Sequence, residues 1–448
     1  MRIMIVTDQY PPLVGGVPTV THGLAVDFAD RGHQVWVVAP SYGTRDVRRI
    51  EHKVRVYRFS SFAWPTYEGL RIPFLPFVPL RNLLKKADPD IIHIHSPVVL
   101  GNIAQILAGG LHKPVIATNH YLPINVSRSL IADPLISKHF SNITYSYLVH
   151  FCNRCEYVTA PTSTALNLLY EHGLRAPAQV ISNGIDLKKF TPGKRDESLL
   201  QRYNLPVGRP LALHVNRLHY EKRVDVLLDA AAKMSGTGHI AIVGSGPAEA
   251  ELRVQAAQLQ LDDRVTFLGY VRDADLLGLR RLSDVFVIPS EADLQSLATM
   301  EAMACGLPVI AANAYALPEL AHHGENGFVF QPGNSAEMAG YLDLLLADPI
   351  LRAGMGAKSL EIIAKHDRMQ VISQWETLYR RLANEFVEAK ERRIRLRMER
   401  KRPGYAQQKL HRPRLVRTGE LVLDQFYPSS EVDTNGAWHS LDEQGEGS

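Results

Sequence analysis

Cysteine is scarce in this sequence. There are three, Cys152, Cys155 and Cys305, in 448 residues. A low, odd count without a secretory leader fits a reducing compartment and gives no basis for a disulfide framework. Cys152 and Cys155 form one CxxC, but no second Cys or His pair follows at zinc spacing, which argues against a metal site. Cys305 reads as a core residue at a helix end. Long apolar runs are also missing: none reaches the roughly 18 residues that a membrane-spanning helix needs. The opening MRIMIVTDQYPP has one Arg before a short apolar run. A leader's apolar region would be longer and end in small residues, so this stretch reads as a buried first strand and the protein as cytoplasmic. Net charge is low as well, +4 overall. It is unevenly spread: residues 390–417 hold twelve Lys or Arg against two Glu, a balance of +10, which leaves −6 for the rest. The body is therefore not expected to bind nucleic acid. The basic tail suits an anionic membrane surface, which would make the protein peripheral to the inner face of a membrane.

The chain that remains is long enough for two domains with their own cores. Its 46% hydrophobic and 21% charged residues are those of a globular protein. Short apolar runs alternate with helical stretches throughout, the mark of an α/β fold with parallel sheets. Strands are predicted at 2–7, 34–39, 54–59, 90–95, 114–118, 157–160 and 179–182, then at 210–216, 239–243, 265–269, 285–288, 309–311 and 328–330. Pro11, Pro12, Gly15 and Gly16 form the loop after the first strand, and a helix is expected over 19–31. This is a Rossmann-like opening without the strict G-x-G-x-x-G fingerprint, which disfavours a dinucleotide oxidoreductase. Residues 64–86, with several prolines, read as an irregular surface segment. In the helical stretch 129–151, Ile136, Phe140, Ile143, Tyr147 and Phe151 recur every three to four residues. Core packing is the simpler reading and an acceptor or membrane face the alternative. A helix over 369–389 carries Ile372, Trp375, Tyr379, Leu382 and Phe386 on one face. Residues 391–402 read as a strongly basic helix or coil, and the polar stretch from Gly404 onward is expected to be largely disordered.

Chemistry concentrates in residues 285–319, VFVIPSEADLQSLATMEAMACGLPVIAANAYALPE. The apolar run 285–288 suits a strand buried on both faces. Pro289 and Ser290 end it, a polar loop follows, and Ser296 stands as N-cap of a helix over 297–305. Gly306 is placed just past its end, and Pro308 stops it. Asp293 and Glu301 are eight apart, one in the loop and one in the helix. Between them, at Ser296 and Leu297, the free N–H groups of the first turn face the loop. That set offers a diphosphate the positive end of a helix and offers hydroxyls a carboxylate on either side, as a nucleotide sugar would require. An ordinary βαβ turn with a solvated acid is the plain alternative.

The run resembles the E-x7-E signature of the retaining glycosyltransferases of family four, which have the two-domain GT-B fold: two Rossmann-like domains with parallel sheets facing a central cleft. The resemblance implies that Glu301 binds the ribose of the donor and that the first acid, here Asp293 where the family usually has Glu, binds the transferred hexose. Glu291 lies nearby but out of register. Arg217 to Lys222, in RLHYEK, is similar to the family's GRL-x-x-x-K, which implies that both cations bind the diphosphate, with Asn216 in place of the usual Gly. Gly15 and Gly16 match a GG that faces the donor phosphates, and Gly244 opens a GxGP turn assigned to the donor site. His120 matches the histidine of TxH near the reacting hexose. The implied catalytic set is thus His120, Arg217, Lys222 and Asp293. The implied donor set is Gly15, Gly16, Arg217, Lys222, Gly244, Asp293, Ser296, Leu297 and Glu301. No metal or other cofactor is implied, since cationic side chains and helix ends replace it. Asn183 to Asp186 and Phe190-Thr191-Pro192 look like the family's interdomain linker. The domains expected are 1–188 and 195–365, a closing helix at 366–389 that crosses back, and a tail at 390–448. GVPTVTHGL, TAPT and DLQSLATMEAMA look most like the diacylglycerol glucosyltransferase branch. The implied reaction moves a hexose, glucose first, from a nucleotide diphosphate sugar to a hydroxyl of a lipid such as diacylglycerol, forming an α-glycosidic bond. GDP-mannose as donor, and phosphatidylinositol, a soluble sugar or a small thiol precursor as acceptor, are the alternatives. A non-enzymatic nucleotide-sugar sensor would need a damaged site.

Overall fold

Two sheets dominate the computed structural model, which describes residues 1–64, 71–74, 76–123 and 134–400. The first is built from β1 (Arg2–Val6), β2 (Gln34–Pro40), β3 (Val47–Glu51) and β4 (Val54–Phe59). A separate two-stranded ribbon follows, β5 (Ser61–Ala63) and β6 (Arg71–Pro73). The first sheet then continues with β7 (Ile91–Ile94), β8 (Val115–Thr118), β9 (Tyr157–Ala160) and β10 (Ala178–Val180). Its order is β10-β9-β8-β7-β1-β2-β4-β3, parallel except for β3, which pairs antiparallel with β4 at one edge. Six parallel strands make the second sheet: β11 (Leu211–Val215), β12 (His239–Val243), β13 (Val265–Gly269), β14 (Val285–Ile288), β15 (Val309–Ala312) and β16 (Gly327–Phe330), in the order β13-β12-β11-β14-β15-β16. Central strands are apolar without alternation because helices cover both faces. Ile3 to Val6 and Val285 to Ile288 have no exposed surface.

In each sheet the strand order reverses beside the first strand, between β1 and β7 and between β11 and β14. Crevices form at such points, outside the carboxyl ends of the strands. The reversal at β11 and β14 brings the loops after 215 and after 288 side by side, although they lie about seventy residues apart in the chain.

Besides the unpredicted strands β3 and β5, three features of the first domain differ from the sequence-based reading. The first helix spans Gly16–Asp30, so it begins three residues earlier than expected, with Gly15 as its N-cap. Within 64–86 the described residues are regular rather than irregular: besides β6 there is a helix, Phe77–Ala87, that buries Leu80, Leu83, Leu84 and Ala87. The prolines do not prevent it, because Pro76 is its N-cap and Pro79 falls in its first turn, where no N–H is needed. The helix Pro134–Cys152 also presents its stripe the other way. Ile136, Ile143 and Tyr147 are about half exposed, whereas Ser137, Ser141, Tyr145, Leu148 and Cys152 face inward. Core packing is thus the wrong reading for most of that stripe.

The chain crosses between domains at 183–192 and returns at 364–368. The two crossings run side by side, Ile185 N–H donating to His366 O and Arg368 N–H to Ile185 O. The helix Arg368–Arg400 then lays Val371, Ile372, Trp375, Leu378, Tyr379 and Leu382 into the core of the first domain beside Ile3, Ile5 and Phe28. Paired hydrogen bonds from Arg368 to Asp27, and bonds from Arg31 and His33 to Glu376, fix it there. It stays helical through Arg400, so the start of the basic stretch, 390–400, is helix, one of the two forms read for it from the sequence. The expectation of disorder beyond it falls outside the described residues.

Candidate active site

The loop after β11 folds into a single 3-10 turn, Tyr220–Lys222, that turns the Lys222 side chain inward. Only 5% of Lys222 is exposed. Its ammonium donates to Asp293 Oδ1 at 2.9 Å, with Ser290 Oγ and Ala292 O at 3.5 Å. Asp293 keeps a second oxygen, Oδ2, buried without a hydrogen-bond partner. Burial pushes its carboxyl up, but the Lys222 ammonium, the Ser290 hydroxyl and the Arg217 charge outweigh that and hold it below the usual carboxylate range. Asp293 is therefore an ionised carboxylate with one buried oxygen left unpaired. Arg217 is exposed, and its guanidinium makes no hydrogen bond or ion pair with the described residues. The carboxylate of Glu291 is engaged by Arg223, so it is committed elsewhere.

The helix Leu297–Ala304 begins as the sequence suggests. Ser296 caps it by accepting from Thr299 N–H, and Gly306 sits past its end at φ 83°, which a side chain would resist. Glu301 lies in its second turn and pairs with Arg280 of the helix Asp273–Leu282. Arg280, only 2% exposed, is a residue that motif reading misses. Burial raises the Glu301 carboxyl above its usual range, and Arg280 and Lys189 counter the rise. Gly244, at φ 134°, follows β12 where the backbone of Asn216 crosses it: a Cβ there would stand 1.8 Å from Asn216 O. Gly244 thus lets the turns before Arg217 and Ser245 nest together.

From the first domain, Gly16 stands against this helix, a Cβ on it lying 4.0 Å from Leu297 Cδ1. His120, after β8, places Nε2 2.9 Å from His95 Nδ1, with the rings stacked. Burial lowers its pKa to about 4, so the imidazole is neutral at ordinary pH. Behind it, His93 lies against the His95 ring and bonds to Thr118 Oγ1 and to the Tyr379 hydroxyl, carrying the network to the returning helix.

The loop carrying Asp293 is docked on the first domain. Thr162 Oγ1 donates to Leu294 O at 2.8 Å, and Asn183 N–H donates to Gln295 Oε1 at 2.8 Å. Ala292 and Leu294 belong to that domain's apolar core. Glu319 reaches across to accept from Ser163 N–H and Thr164 N–H, the open first turn of the helix Ser163–Glu171. The structure therefore brings Asp293, Lys222, Ser296 and Leu297 together beside Gly16, with Glu301 one turn along the helix. Among the described residues no three His, Cys, Asp or Glu side chains converge as a metal site would require.

Two Rossmann-like domains meeting at the carboxyl ends of their strands define a GT-B glycosyltransferase. Residues 14–189 match the model for Glycosyltransferase Family 4, and residues 196–361 match that for Glycosyl transferases group 1. A GDP-mannose-dependent alpha-mannosyltransferase of Mycolicibacterium smegmatis is 32% identical over 70% of this chain and 80% of its own. An alpha-monoglucosyldiacylglycerol synthase of Streptococcus pneumoniae is 28% identical over 69% and 71%. The crystal structure of Anabaena HepE in complex with UDP superposes with a TM-score of 0.69 at 25% identity, covering 84% of this chain and 99% of that one. The chain belongs to glycosyltransferase family 4, and it is an enzyme that transfers a sugar from a nucleotide sugar.

Proposed function

We propose that the enzyme takes a hexose, glucose first, from a UDP-sugar and passes it with retained configuration to a hydroxyl of a membrane lipid. One observation carries the donor half: an ionised Asp293 held by Lys222, with one unpartnered oxygen, lies next to the capped start of the helix that also bears Glu301. The helix N-terminus and the free guanidinium of Arg217 suit a diphosphate. Glu301, set by Arg280, suits ribose hydroxyls, and Asp293 suits a hexose hydroxyl. Breaking the sugar–phosphate bond adds negative charge to the diphosphate, and fixed cations stabilise that charge as it grows, so no metal is required. Neutral His120 faces the hexose as a hydrogen-bonding partner rather than as a general base. The departing phosphate oxygen takes the proton of the attacking hydroxyl on the same face, which preserves the configuration.

The lipid half rests on two supports. The S. pneumoniae relative is named for a glucosyl lipid. The first domain also presents Phe62, Trp64, Phe74, Phe77 and Val78, all 41–64% exposed, ahead of the exposed cations Arg81, Lys85 and Lys86, and such a face suits an anionic bilayer at the inner surface of a cell membrane. The M. smegmatis relative favours GDP-mannose as the second donor. Thermal-shift titration with UDP-glucose and GDP-mannose separates the donors, because a ligand bound only by the folded state raises its melting point. Transfer of labelled sugar to diacylglycerol in vesicles then tests the acceptor. Stabilisation by neither donor would overturn the reading.

A further inference from the structure

A groove of 520 Å³ opens in the first domain between the loop after β1, the loop after β2 and the edge strand β3. Pro12 and Ser41 form one side. Arg49 and Glu51 project from β3 on one face, with Arg45 at the mouth and Arg58 of β4 at the base. These six residues carry three guanidinium groups and one carboxylate. Glu51 bridges to Arg58 at 3.3 Å, and Arg58 also donates to Pro11 O at 2.7 Å, so Arg58 is a fixed, partly neutralised base. Arg45 and Arg49 make no ion pair or hydrogen bond with the described residues. The neighbouring cations differ: Arg48 lies over the Tyr57 ring and Arg55 over the Trp36 ring. Asp46, the acid closest in sequence, is turned away to accept from Ser60 N–H at 2.7 Å.

The groove therefore has two uncommitted planar cations beside a third that cannot move, and its only acid is already paired. Like-charged guanidinium groups held at one concave site repel each other unless an anion joins them, and the fork geometry of arginine matches phosphate oxygens two at a time. Its position is informative too. Pro12 belongs to the loop that leads into Gly16, and Gly16 abuts Leu297 of the other domain. The groove thus lies at the carboxyl edge of the first sheet, on the loop that leads to the contact with the second domain.

We propose that this groove is a phosphate-binding subsite on the acceptor side, so that the hydroxyl receiving the sugar belongs to a molecule that also carries a phosphate ester. The inference rests on the sugar transfer proposed above and replaces diacylglycerol as its acceptor with a phosphate ester. Diacylglycerol has no phosphate to offer, whereas a phospholipid with a polyol head group, or a soluble phosphorylated polyol, has both groups.

The test uses the full chain with UDP at saturation, which fills the diphosphate site, and titrates inositol 1-phosphate by calorimetry. One molecule per chain should bind, and free inositol should not. Arg45→Ala with Arg49→Ala should weaken binding about tenfold or more, the loss expected for charge-assisted hydrogen bonds. Arg48→Ala with Arg55→Ala removes the same charge from the aromatic-stacked pair and should retain binding. Because no turnover is needed, this result stands apart from that of the donor titration. Labelled sugar offered to inositol 1-phosphate and to phosphatidylinositol vesicles then separates the soluble from the lipid source. No binding with UDP present, equal loss in the two double variants, or transfer to diacylglycerol alone would overturn the proposal.

Discussion

At the scale of single residues, the Lys222–Asp293 pair decides most. Lys222 is enclosed and the Asp293 side chain is largely covered, and a carboxylate so placed that loses its cation is costly to keep ionised. Lys222→Met should therefore act twice. It removes a charge that meets the diphosphate, lowering turnover on the order of a hundredfold or more. It also leaves burial to raise the Asp293 carboxyl, so the variant's residual activity should climb with pH across a range where the parent's is flat. A pH–rate profile of the two proteins checks both effects, and a variant with parental turnover would count against the assigned role. Arg280 offers a complementary case. It acts through Glu301, so Arg280→Leu and Glu301→Gln should each weaken UDP binding by about tenfold, and the double variant should be scarcely worse than the poorer single one. Additive losses would mean that Arg280 contacts the nucleotide itself.

At the scale of elements, the strands were legible and several of the contacts were not. Apolar runs such as residues 239–243 and 285–288 have the boundaries read from the sequence, because burial on both faces leaves no alternation to misread. The cap of the helix Leu297–Ala304 was equally readable, since Ser296 and Gly306 are local signals. The helix Phe77–Ala87 was hidden by its prolines, although Leu80, Leu83, Leu84 and Ala87 keep helical spacing. The stripe of Pro134–Cys152 misled because two serines turn inward and apolar residues turn out, a choice made by the neighbours and not by the helix. Arg280 and Glu319 could not be found from motifs, since each meets its partner only once topology or domain docking is fixed. Glu319 gives an element-scale prediction. Its carboxylate satisfies two of the open N–H groups at the start of Ser163–Glu171. Glu319→Ala should speed hydrogen exchange at Ser163 and Thr164 by about tenfold, the value of a charged acceptor. Parental exchange at both amides would show that this contact between the domains does not persist in solution.

For the whole molecule, the buried imidazoles set how stability responds to acid. Burial lowers His120, His214 and His239 to about 4, and pushes His93 and His95 well below the ordinary value. The unfolded chain protonates these rings near 6.5 while the folded one does not, so their contribution is fully present above about pH 6.5 and is lost as pH falls toward 4. At pH 5, His120, His214 and His239 each cost about 2 kcal/mol. Carboxyls raised by burial, Asp27, Glu156, Glu301 and above all Asp8, pull the other way. Asp8, enclosed at the end of β1 and accepting from Leu100 N–H, is raised by burial to about 7. The folded chain then holds a proton that the unfolded chain releases above about 4, so Asp8 favours folding more as pH drops from 7 toward 4. The five rings, shifted further than all of these carboxyls but Asp8, leave a net loss, and the melting temperature should fall steadily between pH 6.5 and 4.5. Asp8→Asn keeps the acceptor for Leu100 while removing the titration. It should melt higher than the parent at pH 8, where the parent must bury a charge, and should lose that advantage near pH 4. Calorimetric scans of both proteins across this range decide the matter: an unchanged difference at all pH values would show that Asp8 titrates as an ordinary carboxylate.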